Sequence, residues 1–295
     1  MTESLLEREA QLPMISVKAD QFLNYFYHTT SLFPEFFDPF ALQRSNVDPA
    51  HLEKYRYMRT KGAPQALRRL SRVGRISSDP FYVEQIMTDE TLTDLRFETV
   101  LAWKEFFRET VEPFREVWKG ELRQKLYDYS NEFCKVWEPI SDSILSMLSH
   151  FARQEWKVPE IDVNLVRCLN GGSNVSKGIV IVPYPDFDVE IKLLTHELAH
   201  MVVPEGRFRE LLGSLGISSA GRFDTAHALV DYVAYLSSRQ YFKNPSRKGL
   251  RPNIDFYHEG LQLSLAFEEY ARSSETYESL EDFVKYATKR FGKDS

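Results

Sequence analysis

The 295-residue sequence predicts a predominantly α-helical α+β fold with a small β-sheet. Three observations predict it. From about Glu90 to Trp156, apolar residues recur at steps of three and four, the period of a helix face. Between Pro159 and Pro183 the texture changes to β-branched runs separated by a glycine turn. Beyond Pro185 the helical period returns and holds to the end of the chain. With 43% hydrophobic and 27% charged residues, the composition supports a sizeable core.

Each element has its own signal. Residues 19–45 are rich in Phe and Tyr and broken by Pro34 and Pro39, which predicts a helix, a turn and a second short element. Phe114, Trp118, Leu122, Leu126, Tyr129, Phe133 and Trp137 form one apolar stripe on a long helix. Pro113 and Pro139 suit the first turns of successive helices, where the missing N–H is not needed. Ile140, Ile144, Leu148 and Phe151 continue the period in the second of these. Ile161 to Leu169 and Gly178 to Val182 read as two strands joined by a turn at Asn170-Gly171-Gly172. Asp186 or Asp188 can cap a helix that runs to Val203 and ends at Pro204. Residues 204–222 hold four glycines and read as loop-rich, and Asp224 opens a helix to about Tyr241. From Pro252 on the chain reads as mostly helical, with Ser279 and Asp282 spaced as a capping box. The expected organisation is a helical lobe over 1–158 and a second lobe over 159–295.

Composition excludes several classes. No apolar run approaches the roughly 18 residues of a membrane span. The first ten residues mix both charges and lack an apolar signal core, so a cytoplasmic protein is expected. Two cysteines, Cys134 and Cys168, cannot build a disulfide scaffold or a cysteine-rich finger. Residues 54–75 carry eight basic side chains and no acidic one. Removing them from the net −6 leaves about −14 elsewhere. This stretch, with Tyr55 and Tyr57 among the cations, could meet a phosphate backbone. A solvated face balanced by the molecule's own acidic surface is the preferred reading.

The segment that carries chemistry is Thr195-His196-Glu197-Leu198-Ala199-His200, an H-E-x-x-H pattern inside the helix expected to end at Pro204. Residues i and i+4 project from one helix face a turn apart, so both imidazoles can reach one ion. Glu197 adjoins the first histidine, where its carboxylate can approach a water on that ion. Ile191, Leu194, Leu198, Met201 and Val202 make the rest of the helix apolar. Ionisable groups buried there are costly without a partner, and a metal is a natural one.

These residues resemble the zincin superfamily of metallopeptidases, over roughly residues 178–235. The resemblance implies a zincin-like catalytic lobe. In it, a strand at Gly178–Val182 would flank the motif helix, His196 and His200 would bind Zn2+, and Glu197 would be the general base. A catalytic zinc takes three protein ligands and a water. In the gluzincin branch the third ligand is a glutamate on a later helix. An aspartate four residues on supports a zinc-binding histidine. His227 stands in the glutamate's place here and Asp231 in the aspartate's, a departure that leaves the branch open but keeps an ordinary zinc ligand. The metzincin arrangement is excluded, because Gly206 occupies the position of its third histidine. Glu205, Glu210, Asp231, His258, Glu259, Glu268 and Glu269 are the rivals to His227. Glu205 follows Pro204 too closely to fold back easily as a ligand.

The chemistry so implied is hydrolysis of an amide by activated water, with a peptide or protein as substrate. A non-peptide amide or ester is the neighbouring possibility. Tyr257 and His258 are the first candidates to stabilise the oxyanion, with Tyr232 and Tyr235 behind them. The alternative is a non-enzymatic protein with a closed structural metal site, whose basic segment 54–75 could bind nucleic acid.

Overall fold

A computed structural model of the chain describes residues 12–30, 97–167, 172–175, 178–184, 186–214, 216, 219–252, 270, 276–277 and 279–291. The fold among them is mostly helical with a small sheet. It divides into two compact units. One comprises Met1–Ile15, Lys135–Glu160 and Tyr184–Ser295, the other Ser16–Cys134 and Ile161–Pro183, so both draw on chain from either side of Pro159.

In the second of these units, strand β1 (Met14–Lys18) is followed by helix α1 (Gln21–Thr30). The helix falls within the Phe- and Tyr-rich stretch. Pro34 and Pro39 lie outside the described residues. Helix α2 (Phe97–Val117) runs through a π-helical turn at Trp118–Leu122 into α3 (Arg123–Ala152), whose residues from Lys135 on belong to the first unit. The apolar stripe is real: Phe114, Trp118, Leu122, Leu126, Phe133 and Trp137 are all buried. Tyr129 is only half-buried.

The two prolines do not begin helices. Pro113 lies within α2 and Pro139 within α3. Pro139 removes the N–H that Lys135's carbonyl would accept, but both residues are exposed, so water can replace that bond. Uninterrupted burial of the stripe outweighs the local penalty, and Ile144, Leu148 and Phe151 therefore continue α3. The real interruption is at Gly120, whose ψ of −124° is not helical.

The sheet has four strands, ordered β1-β2-β4-β3. Strand β2 (Glu160–Leu165) pairs in parallel with β4 (Gly178–Ile181). Strand β3 (Gly172–Val175) pairs with β4 antiparallel. Two joined strands were expected. Gly172, read as part of the turn, instead opens a third strand opposite Ile181. A parallel pair cannot be closed by a short turn, and the added hairpin strand fills the connection. Asn24 on α1 locks onto the end of β2. Its Nδ2 donates to Leu165 O at 2.9 Å, and its Oδ1 accepts from Arg167 N–H at 3.1 Å.

The other unit holds α4 (Phe187–Val202), α5 (Glu205–Ser214) and α6 (Ser219–Ser238), then 3-10 turns at Arg239–Tyr241 and Lys248–Leu250, and α7 (Leu280–Phe291). Helix α6 packs most extensively on α4 and also on α5. The stretch read as loop-rich contains α5. Its glycines are outweighed by Phe208 and Leu212, which are buried on one face. Helix α6 opens five residues before Asp224, which is therefore inside it. It is buried on several sides (Ala226, Leu229, Val230, Val233, Ala234, Leu236), so no polar face marks its start. One half of the expected capping box on α7 is present, the Ser279 hydroxyl on the Asp282 N–H, while the Asp282 carboxylate takes that hydroxyl. Ser279 Oγ accepts from Asp282 N–H at 3.1 Å and donates to Asp282 Oδ2 at 2.9 Å. No described helix is long and apolar enough to cross a membrane.

Candidate metal centre

Helix α4 is aimed by its cap and its core face. Asp186 Oδ1 accepts from Asp188 N–H at 3.0 Å, satisfying one donor of the first turn. Asp188 Oδ2 in turn accepts from Lys243 N–H at 3.0 Å, tying the helix to the segment after α6. Ile191, Leu194, Leu198 and Val202 are buried at helical spacing. Thr195, fully buried between them, returns its hydroxyl to Ile191 O at 2.7 Å. With the apolar face so seated, His196 and His200 project together from another side. Their Nε2 atoms are 3.1 Å apart.

Helix α6 supplies a second i, i+4 pair, His227 and Asp231. The ring centroids of His196, His200 and His227 stand 4.7, 5.0 and 5.0 Å apart, nearly an equilateral triangle. One ligand nitrogen from each ring lies within 4.8 Å of the other two.

The outer nitrogens assign the tautomers. His196 Nδ1 is 2.7 Å from Asp231 Oδ1, a short contact lying off the ideal N–H direction. His200 Nδ1 lies against Glu205 Oε1. A carboxylate beside Nδ1 places the proton there and leaves Nε2 as a lone pair. Two Nε2 atoms facing at 3.1 Å are satisfied either by a proton shared between them or by a metal ion that both ligate. In a tetrahedral zinc site with bonds of about 2.0–2.1 Å, neighbouring nitrogens are about 3.3 Å apart, close to the separation seen here. Three imidazoles with carboxylates behind two of them thus fit a divalent ion.

The electrostatics follow the same pattern. Burial disfavours charge on His196, yet the adjoining Asp231 carboxylate, with Glu197, outweighs it and raises its pKa above 6.5. Burial lowers His227, and the neighbouring His196 and His200 lower it further. Burial opposes ionisation of Asp231, but His196, Lys192 and His227 prevail and its pKa is lowered. Glu205 is likewise desolvated, but His200 and Arg209 hold its carboxyl down at about 2. Lys192, one turn before His196, is lowered by burial. It donates to Gly249 O at 3.0 Å and Arg251 O at 3.2 Å.

The predicted residues fall into three groups. His196, His200 and His227 are brought together, with Asp231 behind His196. Glu197 is buried on the motif helix, and its charge acts on His196. Tyr257, His258, Glu259, Glu268, Glu269 and the basic stretch 54–75 lie outside the described residues. Glu210 is exposed on α5. Tyr232 is buried on α6, and Tyr235 has the Arg239 guanidinium 5.8 Å from its ring centroid.

Two expectations are corrected. Glu205 does fold back. Val203 is extended, with φ −80° and ψ 117°, and α5 begins two residues later, so the chain reverses at once and brings Glu205 beside His200. The readable signal was an acidic residue directly after a helix-breaking proline, where a new helix start favours it. His227 is not near a helix N-terminus, because α6 starts at Ser219. Its lowered pKa comes from burial and from the two other histidines. No family model, no curated protein and no solved structure matches this chain.

Proposed function

We propose that the protein is a zinc-dependent metallohydrolase, a peptidase, with His196, His200 and His227 as metal ligands and Glu197 as general base. The observation that carries this reading is the pair of Nε2 atoms set 3.1 Å apart, each ring backed by a carboxylate, with a third imidazole completing the triangle. Three protein ligands is the number a catalytic zinc takes. A zinc ion held there supplies Lewis acidity toward a carbonyl oxygen and a bound water whose pKa is near ~7.

The chain's own residues do the rest. Asp231 and Glu205 stand behind the Nδ1 atoms of the two motif imidazoles and turn their Nε2 atoms inward. Glu197 receives the proton of the attacking water on its carboxylate and returns it to the leaving nitrogen. Its place next to His196, in the order of the H-E-x-x-H motif, supports that role. The resemblance of these residues to zincins supports a peptide bond as the target.

Zinc content of purified wild type and His196→Ala tests the metal, and turnover of mixed peptide substrates by Glu197→Gln tests the base. Stoichiometric zinc lost in His196→Ala is expected. Glu197→Gln should keep zinc and lose turnover by about 10²–10⁴-fold. A wild-type chain carrying no zinc after loading would end the proposal. Full turnover in Glu197→Gln would remove Glu197 from it.

A further inference from the structure

We infer that Glu205 is a positioning residue of the metal centre, holding His200 by Nδ1 so that Nε2 faces the ion, and that Arg209 holds Glu205. The inference rests on reading the three histidines as a metal site, and adds to it a support that the H-E-x-x-H pattern does not contain.

The geometry begins with the backbone. Helix α4 ends with Val203 N–H donating to Ala199 O at 2.8 Å, and Glu205 N–H donates to Val203 O at 2.9 Å. This reversal occupies two residues and leaves little freedom in where Glu205 starts α5. The helix is then fixed by Phe208 and Leu212, at 0% and 1% exposure, and packs on α6, which also carries His227 and Asp231. Core packing, rather than a loop, sets the position of the carboxylate.

The side chain is held at both oxygens. Oε1 meets His200 Nδ1, and Oε2 accepts from Arg209 Nη2 at 3.1 Å, one turn along α5. A carboxylate engaged on both sides has little rotamer freedom to lose when a metal binds opposite it. The two motif histidines are therefore supported from different elements, His196 by Asp231 on α6 and His200 by Glu205 on α5. Removing Glu205 releases one ring only. That ring can then turn, or move its proton to Nε2, where it blocks ligation.

The test compares wild type with Glu205→Gln, Glu205→Ala and Arg209→Met. Zinc affinity is measured by competition with a chelator, and the His200 tautomer by nitrogen NMR of the metal-free protein. Melting of each metal-free variant controls for folding. Glu205→Ala should weaken zinc binding by about 10–100-fold. Glu205→Gln, whose amide oxygen still accepts from Nδ1–H, should recover most of the loss, which a general structural defect would not do. Arg209→Met should weaken binding less than Glu205→Ala. In the metal-free wild type His200 should carry its proton on Nδ1, and Glu205→Ala should shift it.

Wild-type zinc binding with Glu205→Ala within twofold of it would overturn the role of Glu205 alone. So would an Nε2–H tautomer of His200 in the wild type. A wild type that binds no zinc would overturn the metal reading, and the role of Glu205 with it.

Discussion

His196 and His227 share one centre but stand on opposite sides of the ordinary imidazole pKa. An imidazole must be neutral to bind a metal, so under the proposed zinc site protons would compete first at His196. Because that pKa is raised, apparent zinc affinity should begin to fall as pH drops while still above about 6.5, and steepen below it. Chelator competition between pH 8 and pH 5 measures this, and a flat profile would contradict it. Without metal the signs differ by residue. The raised pKa of His196 gives stability that is full below its unfolded value and lost as pH rises through its folded one. The lowered pKa of His227 costs stability as pH falls below about 6.5. Glu205 gives stability present above its unfolded pKa and lost as pH falls toward about 2. Urea unfolding of metal-free protein should therefore show a steep acid loss between about pH 4.5 and pH 2, shallower in Glu205→Ala.

At the scale of elements, the strand pairs and helix ends hold the places where one residue decides. Gly178 opens β4 with φ +151°, and a Cβ there would stand 2.3 Å from the backbone oxygen of Asp162 on β2. No side-chain rotation relieves a clash with backbone. Gly178→Ala should destabilise the fold by about 1–3 kcal/mol or more, read by chemical unfolding. A neutral result would mean that the β2–β4 pair tolerates displacement. Ser279 is the corresponding point on α7. Its hydroxyl meets the Asp282 N–H, and Ser279→Ala should cost about 0.5–2 kcal/mol. These elements were unequally legible. The stripe from Phe114 to Trp137 could be read because one face is buried and the other is wet. Helix α6 could not be delimited, since a helix buried on several sides has no polar face to end. The prolines misled because their local penalty is smaller than what burial of the long stripe contributes.

At the scale of the molecule, the proposed metal site would link metal binding to folding. The centre draws its three imidazoles from α4 and α6 and its carboxylates from α5 and α6, so an ion bound there joins three helices of one unit. Zinc at about 100 times its dissociation constant should stabilise the protein by about 2.7 kcal/mol against the unfolded chain. A chelator should reverse the rise in melting temperature, and His227→Ala should abolish it. A melting curve indifferent to zinc would count against the site.

What the sequence by itself determined is local. Helical period, strand composition, the Ser279 cap and the one-turn spacing of His196 and His200 depend on neighbours within a few residues, and these can be read in a line. His227 and Asp231 were readable as an i, i+4 pair, though nothing in their own segment says what they face. Only the tertiary structure decided that these groups converge, that Glu205 turns back onto His200, and that Arg209 secures it. Convergence is set by how α4, α5 and α6 pack, and packing depends on the summed shape of buried side chains far apart in the chain.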